Sequence, residues 1–413
     1  MNDKHNNIIK DLKELLNTYL TESFAKDFMK VLDEDIFLIS DKKTKISELD
    51  KSQIEYEPPQ GFNYRITVDK VLTLCGKLIT EENYCNLMLD LSQLMLFAGE
   101  VSYSLEIAEN LLSRLHSTGR YAEIKAEANL MISKIYWSQA YWDDCNYFIT
   151  EAMKIFDSIE SEAGIAKCEN MLGTLHGEKG EFDEAQLHLE RALKHLRGED
   201  SLSTKAMIQT NLGVINTIRG NFEKAVWNYK NASERFEELK DVRRLARVYH
   251  NLGMLYTQME KYDDALDEFN KCITISKDMS YLSNCAVAYI GKAYIYTKQN
   301  NSALAEAYTD KAMEIAHKIN DTLSIADIYK IKGMIQNEMD NFQLSEEMFE
   351  NSIRLNKDLE SKLNKAESSV ELGRLLEKAK KEDEAKPYLD YANKFFKNLN
   401  GRKLTAGLVQ QSI

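Results

Sequence analysis

The stretch from Asn251 to Ile273, NLGMLYTQMEKYDDALDEFNKCI, decides the fold. It places a glycine at Gly253, an aromatic at Tyr262, a small residue at Ala265, a bulky ring at Phe269 and another small residue at Cys272. Ala265 and Cys272 are seven residues apart, two helical turns, so they share one face of a helix. Gly253 falls on the helix before it, and small residues let two helices approach closely. The stretch reads as an αα-hairpin whose turn is closed by Tyr262.

The same frame recurs outward in steps of 40 residues. Gly173, Gly213, Gly253, Gly333 and Gly373 share one phase, with Ala293 in the sixth place. Twelve residues beyond each stands Ala185, Ala225, Ala265, Ala305, Ser345 or Ala385. Seven further stands Ala192, Ala232, Cys272, Ala312, Ser352 or Ala392. Between the small pair sits a larger group, Leu189, Tyr229, Phe269, Phe349 or Leu389, with Thr309 the exception. One step back, Ser133, Trp142, Cys145, Ile149 and Ala152 keep the register, and Val101, Ser104 and Ala108 mark a degenerate unit before that. A single hairpin cannot bury its apolar face, so such units stack into an all-α solenoid.

These residues resemble the tetratricopeptide repeat. Asn251–Ile273 follows the family's N-L-G-x-x-Y-x-x-x-x-x-Y-x-x-A-x-x-x-F-x-x-A/C pattern closely, and the stretches beginning at Met171 and Asn211 follow it too. The family's common repeat is ~34 residues. Here six extra residues per unit must lengthen helices or linkers. The Pro that often ends the family's second helix is missing, the only prolines being Pro58, Pro59 and Pro387. The long, Pro-free repeat is similar to the subtype found in cell-polarity adaptors, kinesin light chains and bacterial peptide receptors. The resemblance implies a superhelical solenoid of about eight repeats over residues 88–398, seven of them in strict register. Residues 1–87 would then be an N-terminal helical cap or small effector segment, and residues 399–413 a C-terminal capping helix. Ile8, Leu12, Leu15, Leu16 and Tyr19 predict one helix in the cap, and Phe24, Phe28 and Leu32 a second. Val68–Leu78 and Cys85–Phe97 predict two more, and Lys403–Val409 the terminal one.

Composition agrees with helices. The 413 residues include only 17 Gly and 3 Pro, too few for the turns of an all-β protein. A net charge of −13 repels phosphate backbones, so no nucleic-acid partner is expected. No apolar run approaches the ~18 residues of a membrane span. The polar N-terminus, MNDKHNNIIKDLKELL, lacks a secretory h-region, which points to the cytoplasm. Six scattered cysteines without a CxxC read as reduced, mostly buried thiols.

No P-loop, HExxH or nucleophile–base assembly stands in the sequence. No enzyme activity, cofactor or metal is therefore expected. His188 and His195 are seven apart, too far for paired ligands at i and i+4, and His176 takes the repeat's usual Tyr position as a packed imidazole. The charged run Glu178 to Glu184 reads as a solvated face.

The resemblance implies that the first helices of successive repeats line a concave groove. Residues two and three before the Gly phase, and one and four after it, would point into that groove. The candidate peptide-binding residues are Asn170, Asn211, Arg247, His250, Asn251, Tyr294, Lys330 and Arg374. Asn211 and Asn251 stand at identical phase, and an amide side chain offers donors and an acceptor to peptide backbone. Asn is equally an ordinary filler of a solvated groove. Arg247, Lys330 and Arg374 could receive acidic groups. Two functions follow from the resemblance, ahead of a third, a phosphatase-like or other enzyme activity, which ranks last. One is a non-catalytic interaction scaffold or adaptor that holds a peptide or partner helix in the groove. The other is an intracellular regulatory receptor for a signalling peptide, like the bacterial members, with residues 1–87 acting on a target.

Overall fold

A computed structural model of the protein describes residues 2–21, 64–118, 120–196, 202–278, 282–319 and 321–398. These contain eighteen α-helices and no strand. The helix expected around Phe24, Phe28 and Leu32, the polar stretch at Pro58-Pro59 and the helix expected over Lys403–Val409 lie outside the described residues. The chain divides into two compact units, Met1–Ser138 and Gln139–Ile413.

The first unit holds α1 (Asn2–Tyr19), α2 (Tyr64–Leu78), α3 (Glu81–Ala98), α4 (Val101–Thr118) and α5 (Ala122–Ser138). Leu12 and Leu16 of α1, Val68, Val71 and Cys75 of α2, and Leu87, Met88 and Leu91 of α3 share one buried apolar cluster. Tyr19 donates to Asp90 Oδ2 at 2.6 Å, fastening α1 to α3. Between α3 and α4 the small-residue contact is made by two serines. Ser92 Oγ donates to Ser104 O at 2.9 Å, and Ser104 Oγ returns to Ser92 O at 2.7 Å.

The second unit holds α6 (Trp142–Ser158), α7 (Glu162–Glu178), α8 (Phe182–His195), α9 (Leu202–Ile218), α10 (Phe222–Glu238), α11 (Val242–Gln258) and α12 (Tyr262–Asp278). It continues with α13 (Leu282–Lys298), α14 (Ser302–Ile319), α15 (Thr322–Glu338), α16 (Phe342–Asp358), α17 (Lys362–Lys378) and α18 (Glu382–Asn398). From α7 onward, consecutive helices pair as hairpins, and the hairpins stack. The extra residues of the 40-residue step are helical. Helices α11 and α12 have 17 residues each, and a three-residue turn from Met259 to Lys261 joins them.

Many of the described turns of the second unit close the same way. One residue enters the left-handed region, as Glu260 does at φ 57° and Asp340 at φ 57°. The next N–H then reaches back to the helix: Lys261 N to Tyr256 O at 2.9 Å, Asn341 N to Gln336 O at 2.9 Å. These are Schellman closures, which satisfy the carbonyls a helix end leaves open. Side chains at several starts complete the caps, as Asp241 does by accepting from Arg244 N at 3.1 Å.

The Gly phase lies where the two helices of a hairpin touch. A Cβ on Gly253 would stand 2.6 Å from the Phe269 ring, and one on Gly333 2.7 Å from Phe349. Ala265 and Cys272, flanking Phe269, are fully buried. The repeat of Ala293, which lacks the glycine, compensates internally. Ala293 replaces the Gly and Thr309 replaces the large residue, and both are fully buried. The added methyl on one helix is matched by the smaller partner on the other, which keeps core volume roughly constant.

Candidate functional site

Helices α7, α9, α11, α13, α15 and α17 pack side by side, so the residues around the Gly phase share one inner face. On α7 and α9 the amide candidates meet each other. Asn211 Nδ2 donates to Asn170 Oδ1 at 3.0 Å and to Thr174 Oγ1 at 3.2 Å. Thr174 in turn donates to Asn170 O at 3.0 Å. The donors of Asn211 are thus committed to holding two repeats together, and its carbonyl oxygen is the group left to offer.

One repeat further the pattern changes. Asn251, at the phase of Asn211, is 1% exposed, and so is His250. Nδ2 and Oδ1 of Asn251, and Nδ1 and Nε2 of His250, have no hydrogen-bond partner among the described residues. An unmade hydrogen bond on a buried polar group costs about 1–3 kcal/mol, so four such atoms in two adjacent side chains are a concentrated cost. Burial, aided by the nearby Arg247 charge, pushes the His250 imidazole down to about 3. The ring is therefore neutral at ordinary pH and carries one donor and one acceptor. His250 and Asn251 together present donors and acceptors in the same proportion as successive peptide groups.

Arg247 lies one turn before Asn251 on α11. Across the face, Glu178 at the end of α7 answers it. Burial raises the Glu178 carboxyl to about 7 while Arg247 pulls it down. Burial likewise lowers the Arg247 guanidinium and Glu178 raises it. The sequence reading placed Glu178 on a solvated face. The structure divides this run: Glu178 is half-buried, whereas Glu181, Asp183 and Glu184 are exposed as expected, and no periodic signal marks the difference in the sequence.

The remaining candidates gather further along. Lys330 of α15 is 3% exposed and donates to Glu367 Oε2 at 2.6 Å, with Asp327 Oδ1 at 3.7 Å. Burial opposes its charge, but the two carboxylates outweigh burial and its pKa is raised. Tyr294 of α13 is buried, and its hydroxyl is raised first by burial and then by Glu371 and Glu367 of α17. Arg374 is largely exposed, 3.6 Å from Glu371. The structure therefore brings Arg247, His250 and Asn251 into one patch, Asn170 and Asn211 into an adjoining one, and Tyr294, Lys330 and Arg374 into a third. The acids Asp327, Glu367 and Glu371 complete that third patch and were not among the candidates. His176 is half-buried; its Nδ1 lies 2.7 Å from Glu181 Oε2, and its ring stacks on His188 at 5.1 Å.

All six cysteines are free and buried. Among the described residues no cluster of His, Cys, Asp and Glu could hold a metal ion, and no helix is long and apolar enough to cross a membrane.

The family model "Tetratricopeptide repeat" matches residues 204–278, the segment that carries Asn211, Arg247, His250 and Asn251. That segment carries tetratricopeptide repeats. No curated protein matches it by sequence. Among solved structures it is similar to a Rap protein complexed with competence and sporulation factor, with a TM-score of 0.63, 12% identity, and coverage of 81% of this chain and 94% of that one. It is also similar to the Rap conjugation gene regulator of plasmid pLS20 in complex with the Phr* peptide, at TM-score 0.57 and 13% identity, covering 78% of this chain and 98% of that one. A third similar structure is aspartyl phosphate phosphatase F from Bacillus subtilis, at TM-score 0.52 and 14% identity, covering 100% and 97%. At such identities the likeness is one of fold, and it extends along most of the chain.

Proposed function

We propose that this chain is a non-catalytic, cytoplasmic regulator that binds a peptide along the inner face of its second unit. The observation that carries the reading is the buried, unpartnered pair His250–Asn251 beside the Asn170–Asn211 bridge. A fold that leaves four polar atoms unpaired in one place is suited to a ligand that pairs them. An extended peptide supplies alternating N–H and C=O groups to the Asn251 amide, the neutral His250 ring and the Asn211 carbonyl. Two of the similar solved structures are complexes with a factor or a peptide, which supports the same use of the fold. Under this reading residues 1–87 carry the contact with a target protein, and the peptide alters that contact.

The test begins with affinity selection of the intact chain against a pool of synthetic hexapeptides, read by mass spectrometry. Calorimetry then compares a selected peptide on the wild type and on Asn211→Ala/Asn251→Ala. Each lost backbone bond is worth about 0.5–1.5 kcal/mol, so the double variant should bind about tenfold or more weakly with unchanged helix content. Equal affinity for both proteins would remove these residues from the site.

A further inference from the structure

Leucine stands just before the Gly phase at Leu172, Leu212, Leu252 and Leu372, and Lys292 and Lys332 take its place in two units. Lys332 has a counter-charge, Asp310 Oδ1 at 2.8 Å. Lys292 is 8% exposed, and its Nζ donates to a neutral amide, Asn270 Oδ1 of α12, at 2.9 Å. The same Nζ lies 4.5 Å from the ring centre of Tyr308 on α14. Tyr308 stacks with Tyr289 at 5.8 Å and with Tyr296 at 5.5 Å. Tyr289, Lys292 and Tyr296 are spaced by three and four residues, so they share one face of α13. Helix α13 packs against both α12 and α14, and this face floors the seam between them. Tyr294 of the inner face is two residues from Lys292 and points to another side. Two exposed lysines border the stack. Lys277 Nζ is 5.9 Å from the Tyr289 ring centre, and Lys311 Nζ is 5.8 Å from Tyr289 and 6.0 Å from Tyr308.

The seam one repeat earlier uses the same frame and balances its charges. Tyr249, Leu252 and Tyr256 stand at the phases of Tyr289, Lys292 and Tyr296. Lys230, Glu237, Glu268 and Lys271 stand at the phases of Asn270, Lys277, Tyr308 and Lys311. There Tyr249 donates to Glu237 Oε1 at 3.0 Å, and Lys271 pairs with Glu268 at 2.6 Å. In the later seam both acids are gone and the leucine has become a buried lysine, in a chain whose net charge is −13. Among the described residues, Lys277, Lys292 and Lys311 lie against tyrosine rings and Asn270 rather than a carboxylate. A buried charge ordinarily has an opposite charge beside it, and a ring face is a weaker substitute. We propose that this seam is a binding site for a phosphate monoester group. At neutral pH such a group carries close to two negative charges and three strong acceptor oxygens, which suits three ammonium groups with donors to spare. Lys292 is held at the floor by Asn270 and Tyr308, while Lys277 and Lys311 add charge from the rim. The tyrosine stack gives the organic part of the ligand a flat apolar wall. The site uses neither His250 nor Asn251 and does not depend on the peptide reading given above.

Calorimetry of the full chain at constant ionic strength tests the site, with phenyl phosphate and inorganic phosphate as probes. The wild type should bind phenyl phosphate saturably. Lys292→Leu installs the residue that Leu172, Leu212, Leu252 and Leu372 carry at this phase, and Lys311→Gln removes a charge from an exposed position. Each variant loses a bond to a charged group and should bind about tenfold or more weakly. Lys271→Gln, in the balanced seam, should leave the affinity unchanged. Circular dichroism should show wild-type helix content in all three. A phosphoserine hexapeptide is titrated in parallel. Tighter binding of that peptide than of phenyl phosphate would show that the group arrives on a protein, and weaker binding that it arrives on a small molecule. The site is overturned if no phosphate probe binds the wild type saturably, or if Lys292→Leu and Lys311→Gln bind as the wild type does. It is equally overturned if Lys271→Gln weakens binding as much as they do, which would mean diffuse attraction, or if hexaglutamate binds more tightly than every phosphate probe. Loss of helix content in both Lys292→Leu and Lys311→Gln would also overturn it, by making these lysines part of the core.

Discussion

The inner faces of α11 and α15 are built from the same repeat at the same phase, yet they treat buried polar groups in opposite ways. On α15, Lys330 is buried and held by Glu367 at 2.6 Å and Asp327 at 3.7 Å. On α11, His250 and Asn251 are at least as deeply buried and have no partner among the described residues. The paired cluster is a structural device: it fixes α15 to α17. The unpaired cluster is a standing cost that packing elsewhere must offset, and on the reading proposed above a bound peptide would relieve it. Burial alone does not distinguish the two; satisfaction of hydrogen bonds does.

The comparison can be broken most sharply at the paired side. Glu367→Gln removes Lys330's closest counter-charge and should destabilise by about 3–5 kcal/mol, the usual cost of stranding a buried charge. Urea denaturation checks this, and selected peptides should still bind the folded fraction. A loss under 1 kcal/mol would mean that Lys330 reaches water and that the contrast with α11 is false.

Next comes the packing that both helices share. Gly253→Leu drives a side chain into the Phe269 ring and should cost up to about 3 kcal/mol, measured by the same denaturation. An unchanged midpoint would displace the Gly phase from the hairpin contact and with it the inner-face assignment of Asn251.

Acid titration sharpens the comparison at His250. Its folded-state value is pushed from 6.5 down to about 3, so the unfolded chain takes up the proton first as pH falls. The stability tied to its neutral form is complete above 6.5 and is lost progressively as pH falls towards 3. At pH 5 that loss is about 2 kcal/mol, from 1.36 kcal/mol per unit over 1.5 units. His250→Gln should therefore flatten the pH dependence of stability in that window by about this amount. Parallel stability curves for variant and wild type would show that the imidazole is solvated. Glu178, raised by burial to about 7, works in the opposite sense. Its contribution is complete below 4.5 and is lost as pH rises through 7, so Glu178→Gln should stabilise most at and above neutral pH.

The repeat was legible because its geometry is written in residue size. A glycine facing Phe269 and alanine-sized neighbours on either side leave a spacing that only a hairpin contact explains, and even the Ala293–Thr309 exchange shows in the sequence as a double departure. The turn chemistry was not legible. Lys240, Glu260, Asn300, Asp340, Glu360 and Lys380 all take positive φ without being glycine. Backbone bonds such as Lys261 N to Tyr256 O offset the strain, and those bonds do not depend on the side chain. At the site, phase alone singled out Asn211 and Asn251, but it could not tell the bridged amide from the unpaired one. That difference comes from Asn170 and Thr174 on the preceding repeat, which present acceptors to Asn211, whereas Asn251 meets none among the described residues. Glu178 was misread for a related reason: its environment is made by Arg247, far away in sequence.

The most direct test of the account replaces Asn251 by a residue that fills the same space without polar atoms. If its amide is buried and unpaired in the free protein, Asn251→Leu relieves the cost and should stabilise the chain by about 1 kcal/mol. The same variant should lose the peptide that selection finds on the wild type. Denaturation and calorimetry on one preparation read both effects. Higher stability together with lost binding is the result the account predicts. A variant that loses stability and still binds the peptide with wild-type affinity would contradict it.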